Sequence, residues 1–488
     1  MISLFLHING ILPKNVESKY SNLICSKTIN TVLGRNLVTN ETFMLFPSNP
    51  ISGGGLGIIN IDKLGRRNQI ELRCHKEPIT CFDISNFNNN VITGSSDAKV
   101  YIWNIPDNIF TKKSDGKCKQ LHTLKFEGKV TFVSFNERIK NLCTVGARTN
   151  TCNNMYIYNC NDGTLIKKIK INDNYVKDIN DIQYEPLGNQ TLCAVTSQDK
   201  YIKLIDVKNG KIIYQFKCLE NMRDTKLFWV NNNGKYFTKL LCLGFRKGSL
   251  RAFGVYNIES IVTKFYDGTN IDDQKNDDDS EAKNDENKDD DDVLKPECEM
   301  TFGISNSVPL GYYDSDSNIF YYSSVGDRSI RIFELKGINN ELREMNSKCI
   351  VGSEIIGMSF KYKQLLNVKD VEIGYVYVLT RKEVLPISFV IPRKRKEFFQ
   401  DDLYLNGNKT LNMIKESINI NDYIKYINNE INTININLDY INLKPNDMKL
   451  LSLAPKEELT DRQKRRKSQI ALMEAQKLKE QPQSQEQA

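Results

Sequence analysis

Only three histidines occur in the 488 residues: His7, His75 and His122. That scarcity excludes a His-rich metal centre and leaves imidazole acid–base catalysis little to draw on. The twelve cysteines are scattered singly, with no C-x-x-C pair. In a chain of this length they read as reduced, cytosolic thiols, not a disulfide framework or a zinc site. No apolar run approaches the roughly 18 residues that a membrane-spanning helix needs. Met1 to Leu12 begins apolar but has no basic start, and His7 and Asn9 interrupt it, so it does not read as a signal peptide. Helical periodicity is nearly absent from about Phe43 to Val390.

Charge is moderate in sum and uneven in place. The net charge is +7, yet Asp267 to Asp292 holds thirteen acidic and three basic residues, so the other 462 residues carry +17. A basic body with one acidic insert points to an acidic-surfaced or polyanionic partner. The insert has almost no apolar side chain beyond Ile271 and Ala282. Ordering a residue costs about 1–2 kcal/mol, which such a segment has no burial to offset, so it is expected to be a disordered loop between two blades of the architecture inferred below. Its acidic run lacks the regular loop with a central Gly that calcium binding uses.

What fills Phe43 to Val390 is a succession of short apolar or alternating segments with Asn, Gly, Asp and Ser between them. β-branched and aromatic residues dominate, as in Val91-Ile92-Thr93, Leu192-Cys193-Ala194-Val195 and Tyr201-Ile202-Lys203-Leu204-Ile205. This is an all-β pattern. Three segments repeat one design: Asp97 leads to Trp103, Asp199 to Ile205 and Asp327 to Phe333, each six residues on, with a polar residue following. A weaker copy, Cys152 to Tyr158, lacks the Asp. Asp suits a tight turn because its carboxylate accepts from nearby backbone N–H groups, and the alternation after it suits a strand. The design resembles the WD repeat, four strands per blade of a β-propeller. By that resemblance His75, Thr93, Asp97 and Trp103 form a buried structural hydrogen-bond set. A His, a Thr and an Asp also suggest a hydrolase triad, but their order and spacing fit the structural set.

After Val390 the character changes. Leu411 to Leu453 is rich in Asn and Ile without a clean period and is expected to be an extended segment lying on the propeller. Lys456 to Glu480 has no Gly or Pro inside, follows Pro455 and precedes Pro482, and reads as a basic helix. Its apolar cluster of Ile470, Leu472 and Met473 makes a candidate, weak oligomerisation seam.

Several stretches in order resemble the coronin family of actin-binding WD-repeat proteins. Pro392-Arg393-Lys394-Arg395-Lys396-Glu397-Phe398-Phe399-Gln400-Asp401-Asp402-Leu403-Tyr404 is similar to the family's element after the last blade. Ser52-Gly53-Gly54-Gly55 with Lys63-Leu64-Gly65-Arg66 resembles its strand and turn ahead of the first repeat. Gly326 to Glu334 resembles a later strand, and His7-Ile8-Asn9-Gly10 and Tyr20 to Ile24 resemble its start. The likeness spans about residues 7 to 445. The Gly53–Gly57 cluster lacks the Gly-Lys-Ser/Thr of a phosphate loop. Two departures stand out: the family's basic start is replaced by Ile2 to Leu6, and its Arg after Tyr20 falls on Ile24.

The resemblance implies an all-β, seven-bladed propeller over residues 1–400, whose N-terminal segment closes the last blade. An extension at 401–455 would pack on it, and a short basic helix, a candidate coiled coil, would follow at 456–488. It further implies a cytoplasmic, cytoskeleton-associated protein that is no enzyme, needs no cofactor or metal, and binds or bundles filamentous actin. Candidate contacts are Lys19, Lys27, Arg35, Arg66, Arg67 and Lys76, each also readable as an ordinary surface charge. The rival readings are an adaptor without actin binding and an anionic-lipid binder using Arg393–Lys396 and Lys464–Lys467. Nucleic acid is not an expected partner, because the basic residues are not interleaved with aromatics in a recognised module.

Overall fold

The computed structural model describes residues 3–26, 35–48, 53–66, 69–111, 118–173, 177–219, 221–230, 235–269, 294–336, 341–345, 348–404 and 409–450. Strands follow each other in sequence as antiparallel meanders, and each meander is one blade of a seven-bladed propeller. Blade 1 is Val38–Thr39, Phe43–Ser48, Gly54–Asn60 and Ile70–His75; blade 2 is Ile79–Ile84, Asn90–Ser95, Lys99–Asn104 and Lys119–Lys125. Blade 3 is Val130–Phe135, Leu142–Arg148, Asn153–Asn159 and Thr164–Asn172; blade 4 is Ile179–Tyr184, Leu192–Ser197, Tyr201–Asp206 and Lys211–Lys217. Blade 5 is Asn221–Val230, Lys239–Arg246, Leu250–Asn257 and Cys298–Ile304. Blade 6 is Pro309–Asp314, Ile319–Ser324 and Ser329–Lys336, with Glu341–Glu344 and Cys349–Ile350 sharing its outer edge.

Blade 7 is assembled from both ends of the chain. Gly357–Phe360, Glu372–Leu379 and Glu383–Val390 supply its inner strands, and Asn9–Ile11 and Tyr20–Ser21 pair antiparallel with Glu383–Val390 as its outer edge. The expected closure by the N-terminal segment is therefore present.

The sequence pattern sets this arrangement strand by strand. Second strands are buried on both faces, as in Asn90–Ser95, Leu192–Ser197 and Ile319–Ser324, and these are the runs with the fewest charges. Outer strands of blades 2 to 4 are mostly exposed or half-buried and carry seven lysines. The repeat residues Trp103, Tyr158, Ile205 and Phe333 all fall on third strands. In blades 2, 3 and 4 the pairing of third with fourth strand shifts register immediately before Trp103, Tyr158 and Ile205. A bulge at that point in blades 2 to 4 strengthens the local twist with which those sheets stack around the axis.

The core is not one mass. Seven apolar clusters each straddle two neighbouring blades, one for every blade-to-blade interface. Phe5 and Ile8 belong to the slab between blades 6 and 7, and Tyr20 and Leu23 to that between blades 7 and 1.

Two expectations are corrected. The acidic insert does not lie between blades. Helix α1 (Glu259–Asp267) follows the third strand of blade 5, Gly268 ends it in the left-handed conformation (φ 72°), and the chain returns as the fourth strand of the same blade. The insert's residues 270–293 lie outside the described residues. Nor is the extension extended throughout: helix α2 (Ile420–Ile427), capped by the Asn419 side chain on Asn421 N–H, buries Ile420, Tyr423 and Ile427 against blades 3 and 4. Short eight-residue amphipathic helices leave little periodic signal in an Asn- and Ile-rich context, which is why the segment reads as irregular.

The motif after the last blade is a docking device. Phe399 and Tyr404 stack at 5.1 Å, both buried, and Tyr404 Oη donates to the Glu372 carbonyl at 2.8 Å. The buried Gln400 side chain donates to the Arg395 and Phe398 carbonyls at 2.9 and 2.6 Å. The extension then crosses one end of the ring to blades 3 and 4, where Tyr423 Oη donates to the Gln190 carbonyl at 3.0 Å.

Removing residues 1–26 takes Phe5, Ile8, Tyr20 and Leu23 out of two slabs. At about 1.5–3 kcal/mol per large apolar side chain the loss is comparable to the about 5–15 kcal/mol that stabilises a whole domain. The truncated chain is expected to be aggregated or molten by size-exclusion chromatography and near-UV circular dichroism. A folded monomer with the full-length melting midpoint would show that closure by the N-terminal strands is dispensable.

Candidate functional site

The predicted hydrogen-bond set assembles at the junction of blades 1 and 2. Trp103 Nε1 lies 3.2 Å from Thr93 Oγ1, Thr93 Oγ1 lies 2.9 Å from His75 Nε2, and His75 Nδ1 lies 3.1 Å from the Asp97 carboxylate. Indole N–H only donates and a carboxylate only accepts, so the protons order themselves: Trp103 donates to Thr93, Thr93 to neutral His75, and His75 to Asp97. Burial pushes the His75 pKa below its ordinary value, opposed by the neighbouring Asp97. Thr93 is fully buried, so no substrate reaches its oxygen. The chain of bonds is a structural pin. It also accounts for the glycine run: a Cβ on Gly53, whose φ is +75°, would lie 2.2 Å from the His75 carbonyl oxygen.

Other blades pin themselves with different chemistry, which the sequence reading missed. Asp199 contacts Lys203 Nζ, which also donates to the Ile171 carbonyl of blade 3 at 2.8 Å. Asp327 is paired with Arg251 of blade 5 at 3.0 Å, and Arg251 also donates to Ser324 at 2.7 Å. In each, the turn Asp reaches the preceding blade through a cation instead of an imidazole. The available signal was a basic residue on a strand otherwise bound for burial.

The ring has two distinct ends. At one, second strands turn into third strands and the chain crosses to the next blade. The other is spanned by the extension and carries α1 and the anchors of the acidic insert, with Tyr266 stacked on Tyr236 at 3.9 Å. Along the axis a cavity of about 440 Å³ is lined by Arg35, Asp83, Asp181 and Lys226 among others. Arg35 lies over the Phe132 ring at 5.4 Å and 3.7 Å from Asp181. Burial, reinforced by Arg35, pulls the Lys226 pKa down to about 8. Burial raises Asp83, which accepts from Ser134 Oγ and Phe135 N–H. Charges here answer one another across the axis.

The predicted surface residues therefore separate. Arg35 points into the axial cavity. Lys19 is 24% exposed and paired with Glu383 at 2.6 Å. Lys76 is exposed at the crossover end. The backbone of Arg66 pairs in parallel with Ser21, which brings that turn beside Lys19. Lys27 and Arg67 lie outside the described residues, as do Ile470, Leu472 and Met473. Within the basic cluster after blade 7, Arg393 is engaged by Asp402 at 2.8 Å and Arg395 lies over Phe398 at 5.3 Å, so part of that cluster serves docking. Among the described residues no group of three His, Cys, Asp or Glu is placed to hold a metal ion.

Comparison with known proteins fits this geometry. A profile of the WD domain, G-beta repeat, matches residues 66–104, the stretch that contains the complete pin, and a type of WD40 repeat matches residues 384–406. The chain is thus a WD-repeat β-propeller. It is 24% identical over 415 residues to a coronin-like protein of Saccharomyces cerevisiae, covering 82% of this chain and 56% of the relative. It is 23% identical to coronin-2A of Bos taurus, covering 82% of this chain and 69% of that one. The WD40 domain of Toxoplasma gondii coronin superposes with a TM-score of 0.70 at 18% identity, covering 91% of this chain and 99% of that domain. Along most of its length the chain is thus similar to coronins. It spans only about half the length of the yeast relative.

Because His75 stays neutral when folded, the unfolded chain binds the proton more readily. Stability is expected to fall as pH drops below about 6.5. Melting midpoints of wild type between pH 7.5 and 5.5 should decline more than those of His75→Asn, which lacks the titrating ring. Equal slopes would remove His75 from the pH response.

Proposed function

We propose that this chain is a non-enzymatic, coronin-type protein of the cytoplasm that binds the side of actin filaments through the basic crossover end of its ring. The observation that carries the reading is the similarity to coronins along four-fifths of the chain, through the propeller. Charge supports it. The body carries +17 outside Asp267–Asp292, and exposed Lys76, Lys200, Arg328, Lys348, Arg381 and Lys382 lie at the crossover end. The insert's anchors, the end of α1 and Leu294, sit at the other end. Lys19 and the Arg66 turn lie beside the crossover end, and Lys19, Lys27, Arg66 and Arg67 are proposed contacts.

Co-sedimentation with filaments tests this. At 0.15 M salt the Debye length is about 8 Å, so binding through exposed charges should fall steeply between 0.05 and 0.2 M. Arg66→Glu with Arg67→Glu is expected to weaken binding several-fold at 0.1 M without moving the melting midpoint. Absence of wild-type protein from the pellet at low salt would refute the reading.

The tail at 456–488 is proposed to self-associate weakly through Ile470, Leu472 and Met473, giving two propellers per assembly and letting a modest single-site affinity bundle filaments. Sedimentation velocity should show concentration-dependent dimers for the full chain and monomers for a chain ending at Pro455. Identical monomer behaviour across the micromolar range would overturn it.

A further inference from the structure

The outer strands end at the same register in six blades, each opposite the first residue of the third strand. His75 faces Gly54, Lys125 faces Lys99, Asn172 faces Asn153, and Lys217 faces Tyr201. Blades 1 to 4 thus place a polar side chain there. Blades 5 and 6 do not: Ile304 faces Leu250 and Ile350 faces Ser329. In blade 7 the equivalent position is Ser21, and Ile24 follows three residues later at the same end, where Leu23 N–H bonds the Lys382 carbonyl. Ile304, Ile350 and Ile24 are the three most exposed large apolar side chains among the described residues, at 77%, 70% and 63%.

An isolated exposed isoleucine is ordinary. Two at the same outer-strand end of blades 5 and 6, where the other five blades carry a polar residue, with Ile24 at the same end of blade 7, form a ledge. Its surroundings are basic: the Arg328 and Arg381 side chains are 68% and 71% exposed, and Lys348 is exposed two residues before Ile350. Glu354 lies between the two arginines, at 4.0 and 3.1 Å, and Asp327 pairs with Arg251 nearby.

We infer that this ledge on blades 5 to 7 is the apolar centre of the filament-binding surface, seating apolar side chains of actin inside a ring of acidic ones. The inference rests on the filament-binding reading above and names the blades that carry it. An interface with apolar side chains at its centre and charges at its rim gains specificity and lifetime from the centre and encounter rate from the rim. The fixed carboxylates of Glu354 and Asp327 favour a protein surface, which offers basic groups in return, over an anionic bilayer, which offers none.

The test uses the full chain. Ile304→Ser with Ile350→Ser removes two of the ledge's three isoleucines without changing charge, and Ile304→Leu with Ile350→Leu keeps it. In co-sedimentation at 0.1 M salt, the Ser pair should raise the apparent Kd on the order of tenfold to a hundredfold, and the Leu pair should stay near wild type. Melting midpoints of all three should agree, because these side chains are already in water. The Ser pair should keep the wild-type salt slope, since the charged rim is intact. Wild type pelleting with the Ser pair equal to it overturns the ledge alone. Wild type failing to pellet overturns the filament reading and the ledge with it. Flotation of wild type on phosphatidylserine vesicles, lost in the Ser pair while pelleting is unchanged, assigns the ledge to a membrane and also overturns the inference.

Discussion

The interface between neighbouring blades is the unit on which this molecule stands. Each blade is a small twisted sheet whose two faces are covered only by the blades on either side, and each apolar cluster belongs to a pair of blades. No blade can hold its own core, so stability accrues only when all seven interfaces form. That makes the pairing of Asn9–Ile11 and Tyr20–Ser21 with Glu383–Val390 decisive, although it involves few hydrogen bonds. It joins residues more than 350 positions apart and removes the two free edges that an open array would present to other chains. Contacts of such sequence separation also make folding slow, because loop-closure entropy is spent before the last interface rewards it.

A second device works at the turns of blades 2, 4 and 6. The Asp between second and third strands anchors its blade to the one before, and the partner varies: His75 for Asp97, Lys203 for Asp199, Arg251 for Asp327. An imidazole pin is complete while neutral, because Trp103 and Thr93 supply its other bonds. A lysine or arginine pin needs its charge and a carbonyl or hydroxyl to absorb the remaining N–H groups, which Ile171 and Ser324 provide. Buried charge is tolerated where every donor is met. The ring can therefore drift far in sequence from its relatives while keeping the same geometry.

The two ends of the ring are chemically unlike. One is crossed by the extension, whose Phe399, Tyr404 and Tyr423 are buried against the blades, and it also carries α1 and the roots of the acidic insert. The other keeps its loops exposed, with Lys76, Lys200, Arg328, Arg381 and Lys382 among them and the acidic Glu77, Glu127 and Glu354 beside them. Arg35 shows how the same residue type serves differently at the boundary: its guanidinium reaches into the axial cavity toward blades 3 and 4, where Asp181 and the Phe132 ring receive it.

By itself the sequence determined the class of fold, the repeat and the pin. Alternating apolar residues, an Asp turn and a large residue six positions on are local features, and strands are local objects. The docking motif from Pro392 to Tyr404 and the closure by the N-terminal segment were legible by resemblance to the coronins. What only the tertiary structure decided was placement. The acidic insert falls inside blade 5 because strand order, not charge, determines where a loop leaves. Helix α2 forms because blades 3 and 4 offer an apolar seat for Ile420, Tyr423 and Ile427, a surface that exists only after those blades pack. Arg35 turns inward because opposing charges meet only once the ring closes. Ile304 and Ile350 look unremarkable in a strand-rich sequence. Their equivalence is a matter of register across blades, and register is set by pairing between strands, which no local pattern encodes.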